Sequence, residues 1–340
     1  MIDLLVTGGG PAGLVTALLA ARAGLTVTVL EPRAAPIDKA CGEGLMPGAV
    51  ETLAALGIAV AGQPFRGIHY ADARHGVDAL FRAGAGLGVR RTTLHSALSA
   101  AVASAGIEVR AGAAGEVSQD ASSVRAGGVT ARYLAAADGL HSPVRRQLGL
   151  GRPASGPPRY GLRRHYAMAP WTDLVEVHWS PGVSGSEAYV TPVAPDPIGV
   201  AILTGERAPF ERQLTRFPAL AARLSTPVGG TRGAGPLRQR VSSRVFGRVL
   251  LVGDAAGYVD ALTGEGLAVA WASAAELVAC VAADAPAEYE RRWRRASRRY
   301  RTLTGALLWA RGRPTLARAI VPAAHRAPWA FRAVVNQLAR

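Results

Sequence analysis

The strongest constraint on this chain lies at its start. Gly8-Gly9-Gly10-Pro11-Ala12-Gly13 sits between an apolar run of strand length, Ile2 to Val6, and a helical stretch rich in Ala and Leu, Leu14 to Arg22. A second β-branched run, Leu25 to Leu30, follows and ends in Glu31. The turn satisfies G-x-G-x-x-G in a strand–turn–helix–strand context, and each glycine has a physical task. Gly8 makes the tight turn, Gly10 lets the backbone approach a pyrophosphate, and Gly13 lets the helix pack closely on the strand. A phosphate is then expected on the N–H groups at the helix start, Pro11-Ala12-Gly13. Glu31 is placed to accept hydrogen bonds from an adenosine ribose. An acid at that point disfavours a 2′-phosphate, so NAD or FAD fits better than NADP.

The stretch from Leu4 to Ala21 carries no charge and is long enough to raise a signal peptide or a membrane span. The glycines and Pro11 inside it would break a spanning helix, and Asp3 replaces the basic flank of a signal. A buried strand followed by a buried helix is expected, in a cytoplasmic protein. At 340 residues the chain has room for two interleaved domains, and 49% hydrophobic residues exclude disorder as its main state. Cys41 and Cys280 cannot form a disulfide framework, which points to a reducing compartment.

Two later segments choose between NAD and FAD. Residues 133–145 form an apolar strand ending in Asp138-Gly139, then Ser142 and Arg145; residues 249–268 run from a strand into Gly253-Asp254 and on to Thr263-Gly264-Glu265-Gly266 before an Ala-rich helix reaching about Ala282. In this order, the three segments resemble the flavoprotein hydroxylase superfamily typified by p-hydroxybenzoate hydroxylase. Cys41-Gly42-Glu43-Gly44 and Leu262-Thr263-Gly264-Glu265-Gly266 are most similar to its geranylgeranyl-reductase-related branch. The resemblance covers about residues 1–285.

It implies an α/β fold: a Rossmann-type FAD-binding domain (1–60, 86–150 and 236–285), an inserted β-sheet substrate domain (61–85 and 151–235) and a C-terminal helical segment (286–340). The implied cofactor is FAD, with NADH or NADPH as transient hydride donor, since no second Gly-rich turn follows a strand. Gly8, Gly10, Pro11, Ala12, Gly13 and Glu31 would hold the ADP half, with Arg33 near the adenosine and Arg91 of the R-x-x-L-x-x-x-L segment helping. Asp254, after Gly253, would bind the ribityl chain, and Asp138 would support cofactor and nicotinamide. Thr263, Gly264, Glu265 and Gly266 open a helix whose positive end would face a reduced, anionic flavin. Arg145 is a further candidate for the pyrophosphate.

From Tyr160 to Leu203 short aromatic and β-branched runs alternate with Gly and Pro. Glu176 and His178 share one face of a strand, and Val175, Val177 and Trp179 share the other. His165, His178, Glu176 and Tyr189 are candidates for a polar wall facing the flavin; the solvent face of a half-buried sheet is the alternative. Cys41 is a candidate for catalysis, or a small thiol filling a tight loop. The seven histidines show no ligand spacing, so no metal is expected.

The leading expectation is an FAD monooxygenase of secondary metabolism. It would use NAD(P)H and oxygen to hydroxylate an electron-rich aromatic or polyketide-derived small molecule, including a lipid-tailed one. The alternative is reduction of isoprenoid or lipid double bonds. Against it, the Tyr-x-Trp-x-Phe-Pro segment of such reductases is only Tyr189-Val190-Thr191-Pro192 here. Halogenation is disfavoured, because its catalytic lysine has no counterpart: Lys39, beside the Cys41 loop, is the chain's one lysine.

The net charge of +15 attracts anions. Much of it gathers from Arg291 to Arg301, on a helix whose apolar stripe is expected to be Tyr289, Trp293, Ala296, Tyr300, Leu303 and Leu307. That helix is suited to lie at the inner face of a membrane, and a basic membrane-surface binding protein is the reading outside enzymology. Nucleic acid is not expected as a partner.

Overall fold

The computed structural model describes residues 1–180 and 185–339. Ile2–Thr7 is the centre of a largely parallel sheet, paired with Val129–Ala136 on one side and Val27–Glu31 on the other. Val249–Leu251 and Glu108–Ala111 extend it, also in parallel. Leu4, Leu5 and Val6 have no exposed surface, as expected of a strand covered on both faces. Every parallel strand presents its carboxyl end at the same edge, so Thr7, Glu31, Ala136 and Leu251 all hand the chain to loops there.

Helices α1 (Pro11–Arg22), α2 (Pro47–Ala55), α3 (Arg91–Ser104) and α4 (Pro143–Gln147) accompany this sheet. The uncharged stretch after Asp3 thus divides into strand and helix. Among the described residues no helix is long and apolar enough to cross a membrane.

A second sheet runs in the order Pro227–Ala234, Tyr160–Tyr166, Ile198–Thr204, Ser186–Pro192, Leu174–Ser180, Gly67–Ala71, Gly76–Leu80. Its two faces have different neighbours. Ala188, Val190, Val200 and Ile202 point to α5 (Phe210–Leu214) and α6 (Pro218–Ala221), where Phe210 and Leu220 complete an apolar core. The opposite face carries Arg163, His165, Ala201, Tyr189 and Val177, aligned across the strands. It looks toward the first sheet's loops.

Four helices close the chain: α7 (Gly266–Ala282), α8 (Tyr289–Arg311), α9 (Pro314–Arg326) and α10 (Pro328–Leu338). Trp271 of α7 donates from Nε1 to the carbonyl of Pro11 at 3.1 Å, locking α7 beside α1. α9 and α10 cover the edge strand Gly76–Leu80; Asn336 accepts from Arg82 N at 2.7 Å and donates to Leu80 O at 3.0 Å.

The buried stripe of α8 departs from the expected one. Tyr289, Trp293 and Tyr300 are buried and Leu303 packs half-buried against Met46 and Leu338, but Ala296 and Leu307 are only half-buried while Ser297 and Thr304 are fully buried. Their hydroxyls make this affordable: Ser297 donates to Trp293 O at 2.8 Å, and Thr304 pairs with Thr263 at 3.0 Å.

Candidate functional site

The turn after Thr7 has no space for side chains. Gly8 has φ +100°, and a Cβ there would lie 2.5 Å from Ala137 O; one on Gly13 would lie 1.9 Å from Gly8 O. Gly10 differs, since a Cβ on it would meet only an Arg91 nitrogen at 3.7 Å, an ordinary contact. Gly10 caps α1 without a side chain and Pro11 takes the first helical position, so the next N–H groups point outward unclaimed by a cap. Ala12 packs against Gly253, whose own φ is +62°.

Glu31 is fully occupied. Its Oε2 accepts from Gly9 N at 2.7 Å and Arg33 Nη2 at 2.8 Å, and its Oε1 accepts from Arg33 N at 3.0 Å and Nε at 2.6 Å. Burial pushes its carboxyl up, but Arg33 and Gly9 outweigh this and hold it below the usual range. A carboxylate accepts about four hydrogen bonds. A ribose therefore reaches Glu31 in exchange for Arg33, whose side chain is exposed.

Arg91 opens α3, and its backbone N–H donates to Glu43 Oε1 at 2.8 Å. Its guanidinium is buried, its Nε has no hydrogen-bond partner, and it forms no ion pair among the described residues. Thr7 Oγ1 and Asp138 Oδ1 are likewise buried and unpartnered. A buried, uncompensated cation among orphaned polar atoms is costly unless an anion joins it. This cradle fits a cofactor pyrophosphate with hydroxyl groups beside it.

Asp138 accepts from Val144 N at 3.0 Å through its other oxygen, and burial raises its carboxyl above the usual range. Ser142 caps α4, accepting from Arg145 N at 2.9 Å. Arg145 is engaged by protein groups. It donates to the carbonyls of Leu140, Asp254 and Ala255 and to Gln239 Oε1, bracing the Gly253–Ala256 turn. Burial also raises Asp254, against the pull of Lys39, Arg91 and Arg145.

At the start of α7, Gly264 has φ +69° and Glu265 occupies the cap position with no side-chain cap bond. Thr263 is held by Thr304. Burial pushes the Glu265 carboxyl up to about 7, against Arg299 and Thr263, and its Oε2 lacks a hydrogen-bond partner.

Cys41 is half-buried; its Sγ accepts from Glu43 N at 3.4 Å, and burial raises the thiol above its usual range, keeping it protonated. Two further residues had little sequence signal. Glu43, at φ +60°, sits in the left-handed region and binds His165 and Arg91 N at once. Its sequence mark was its place in Cys41-Gly42-Glu43-Gly44, a motif that carried the branch resemblance but assigned the acid no role. His95, one helical turn after Arg91, makes a 2.9 Å hydrogen bond with Gly9 O and steadies the turn from below.

The expected polar wall divides between two faces. His165 and Tyr189 lie on the face toward the cradle, where Tyr189 Oη donates to Leu262 O at 3.0 Å. Glu176 and His178 lie on the other face. Glu176 accepts from Trp171 Nε1 at 2.7 Å and pairs with His178 at 2.9 Å, beside α6. The alternation along the strand was read correctly, but alternation alone does not say which face meets the flavin. On the inner face Glu187 is buried between Arg159 and Arg311, and Asp260 lies 3.4 Å from Arg159.

Residues 1–178 match the family described as FAD binding domain. The chain belongs to that family. Its cofactor is FAD, and it is an FAD-dependent oxidoreductase. It is 30% identical over 298 residues to the menaquinone reductase of Mycobacterium tuberculosis, covering 78% of this chain and 72% of that protein. It is 48% identical to the 6-methylpretetramide 4-monooxygenase of Streptomyces rimosus over 71 residues, 21% of this chain and 16% of that one. A flavoprotein/dehydrogenase structure from Cytophaga hutchinsonii superposes with a TM-score of 0.85 at 19% identity, covering 99% of this chain and 92% of that one. At that identity the likeness shows the fold alone.

Proposed function

We propose that this flavoenzyme hydroxylates an electron-rich ring, carried by a small molecule with an apolar tail, using NAD(P)H and oxygen. When bound, FAD supplies electron transfer between donor, oxygen and substrate. Arg91, the N–H groups of α1 and Asp254 hold its pyrophosphate and ribityl chain. Arg33 gives way to the ribose at Glu31. The open N–H groups of α7 would meet the flavin's anionic end, and burial, which raises the Glu265 carboxyl to about 7, lessens the opposing charge there.

The observation that carries this reading is the inner face of Ser186–Pro192. There Glu187, Tyr189 and Thr191 alternate toward the cradle. The resemblance to prenyl reductases implies the aromatic-rich Tyr-x-Trp-x-Phe-Pro in this segment. Tyr189 and Thr191 are instead tied to Leu262 O and Gly42 O, so this segment offers a single phenol ring, Tyr189, with its oxygen anchored beside Tyr70 and Val177. Such a wall suits a polar-substituted ring with an apolar extension.

A second reading, reduction of a lipid double bond, is favoured by the reach of the menaquinone reductase similarity, which spans most of both chains. Oxygen separates the two. Candidate lipid phenols and isoprenoid quinones are incubated with protein, FAD and NAD(P)H. Hydroxylation consumes oxygen stoichiometrically and adds about sixteen mass units, whereas a gain of about two mass units without oxygen uptake makes it a reductase.

A further inference from the structure

A cavity of about 420 Å³ opens between the Gly253–Ala256 turn, residues 238–244, α7 and α8. It meets the flavin cradle at Gly253, Asp254 and Gly266, yet none of Gly8 to Gly13, Glu31, Arg33 or Arg91 lines it. Neither does Tyr189, so it is also separate from the space under the second sheet.

Its chemistry is one-sided. Arg238, Arg240, Arg244, Arg294 and Arg301 line it, against one lining carboxylate, Asp254. Arg244 and Arg294 share Glu290 at 3.0 and 2.8 Å, and Arg238 donates to Ser155 O at 3.2 Å. Arg240 and Arg301 form no ion pair among the described residues. The guanidinium carbons of Arg244 and Arg301 lie 3.9 and 5.4 Å from the ring centre of Trp293, and Tyr258 and Tyr300 add further aromatic surface. Guanidinium groups gathered without matching acids repel one another; Arg294 and Arg301 both oppose the charge on Arg244. A bound anion relieves that repulsion, and guanidinium forks match phosphate oxygens two at a time. The volume is that of an ordinary small-ligand pocket.

We propose that this cavity receives the phosphate-bearing adenosine half of the dinucleotide hydride donor. The inference rests on the reading of the chain as NAD(P)H-dependent. The aromatic wall takes the adenine, Arg240 and Arg301 take the phosphates, and the shared border at Asp254 and Gly266 lets the other end of the donor extend to the flavin. It also gives the donor a place in a chain with only one Gly-rich nucleotide turn. A phosphorylated substrate would present the same chemistry, and the probes below tell the two apart.

FAD-loaded protein is titrated calorimetrically with ADP-ribose and, separately, with inorganic pyrophosphate. ADP-ribose is expected to bind saturably and at least ten-fold more tightly than pyrophosphate. The double variant Arg240→Ala/Arg301→Ala is expected to weaken it ten-fold or more, and Arg240→Lys/Arg301→Lys to recover part of the loss. Both changes are at exposed positions, and an unaltered flavin absorption spectrum confirms an intact holoprotein. Pyrophosphate binding as tightly as ADP-ribose, no saturable binding, or binding indifferent to the substitutions overturns the proposal. Reduction of the flavin by NADH or NADPH is followed in parallel without oxygen. Failure of both donors refutes NAD(P)H dependence itself, whereas normal reduction with unaltered ADP-ribose affinity in the variants refutes only the cavity.

Discussion

His165 donates from Nε2 to Glu43 Oε2 at 2.6 Å, joining the second sheet to the loop that carries Cys41. Arg163 fixes this direction. Its Nη1 lies 3.2 Å from His165 Nδ1 and can only donate, so the ring proton sits on Nε2. Arg163 also bonds Asp38, and Glu43 receives Arg91 N, so one buried network spans both sheets.

Glu43→Ala is therefore expected to cost about 1–3 kcal/mol, because it leaves the buried His165 Nε2–H and Arg91 N–H without their acceptor while Arg163 keeps Asp38. Glu43→Gln, which keeps an acceptor for Arg91 N, should cost less. Urea unfolding of both variants checks this, and an unchanged midpoint for Glu43→Ala would remove the network's structural role.

Gly13 and Gly10 should behave in opposite ways. A Cβ on Gly13 collides with Gly8 O at 1.9 Å, so Gly13→Ala is expected to destabilise the apoprotein by several kcal/mol. A Cβ on Gly10 meets only the far end of Arg91, so Gly10→Ala should leave apoprotein stability within about 0.5 kcal/mol while weakening FAD at least ten-fold. Thermal unfolding of apoprotein with FAD fluorescence titration separates the effects. Equal loss of stability in both variants would contradict the geometry.

The glycine turn was legible in the sequence because its geometry is local: Gly8, Gly10 and Gly13 are needed wherever a strand, a phosphate and a helix meet within six residues. The same holds for the strand ends at Asp138 and Asp254. Glu43 was not legible, since its value comes from His165 and Arg91, far along the chain, and from a backbone conformation no pattern announces. Ser297 and Thr304 hide for a related reason: a hydropathy stripe scores them as polar, but Trp293 O and Thr263 satisfy their hydroxyls. Arg145 and Glu31 stand where cofactor ligands are expected, and only the hydrogen bonds reveal that protein groups hold both here, so that a ribose at Glu31 must displace Arg33.

The two faces of the second sheet give paired tests. Glu187→Gln leaves Arg159 and Arg311 buried beside a neutral amide and is expected to cost about 3–5 kcal/mol. Glu176→Gln, whose partners His178 and Arg223 are partly exposed, should cost only about 1 kcal/mol. Tyr189→Phe is expected to raise the substrate KM with FAD affinity unchanged, and His178→Ala to alter neither. A rise in KM on His178→Ala would place the substrate on the wrong side of the sheet.

Glu265 makes stability depend on pH in a direction opposite to that of a salt-bridged acid. Burial raises its carboxyl from 4.5 to about 7. Below pH 4.5 it is protonated folded and unfolded, and the fold bears no penalty. As pH rises toward 7 the unfolded chain releases the proton while the folded one retains it, so stability falls; above 7 the fold holds a buried anion and the loss is complete. The difference of about 2.5 pH units corresponds to about 3 kcal/mol. Glu265→Gln stays neutral throughout, so its stability relative to the parent should be near zero at pH 4 and rise by about 3 kcal/mol by pH 8. Asp260, raised by burial to about 6, titrates in both proteins and cancels in the comparison. Urea unfolding across this range measures the difference directly. Parallel pH profiles would mean that Glu265 is already ionised in the fold, and the start of α7 would then carry a negative charge beside the flavin instead of a neutral acid.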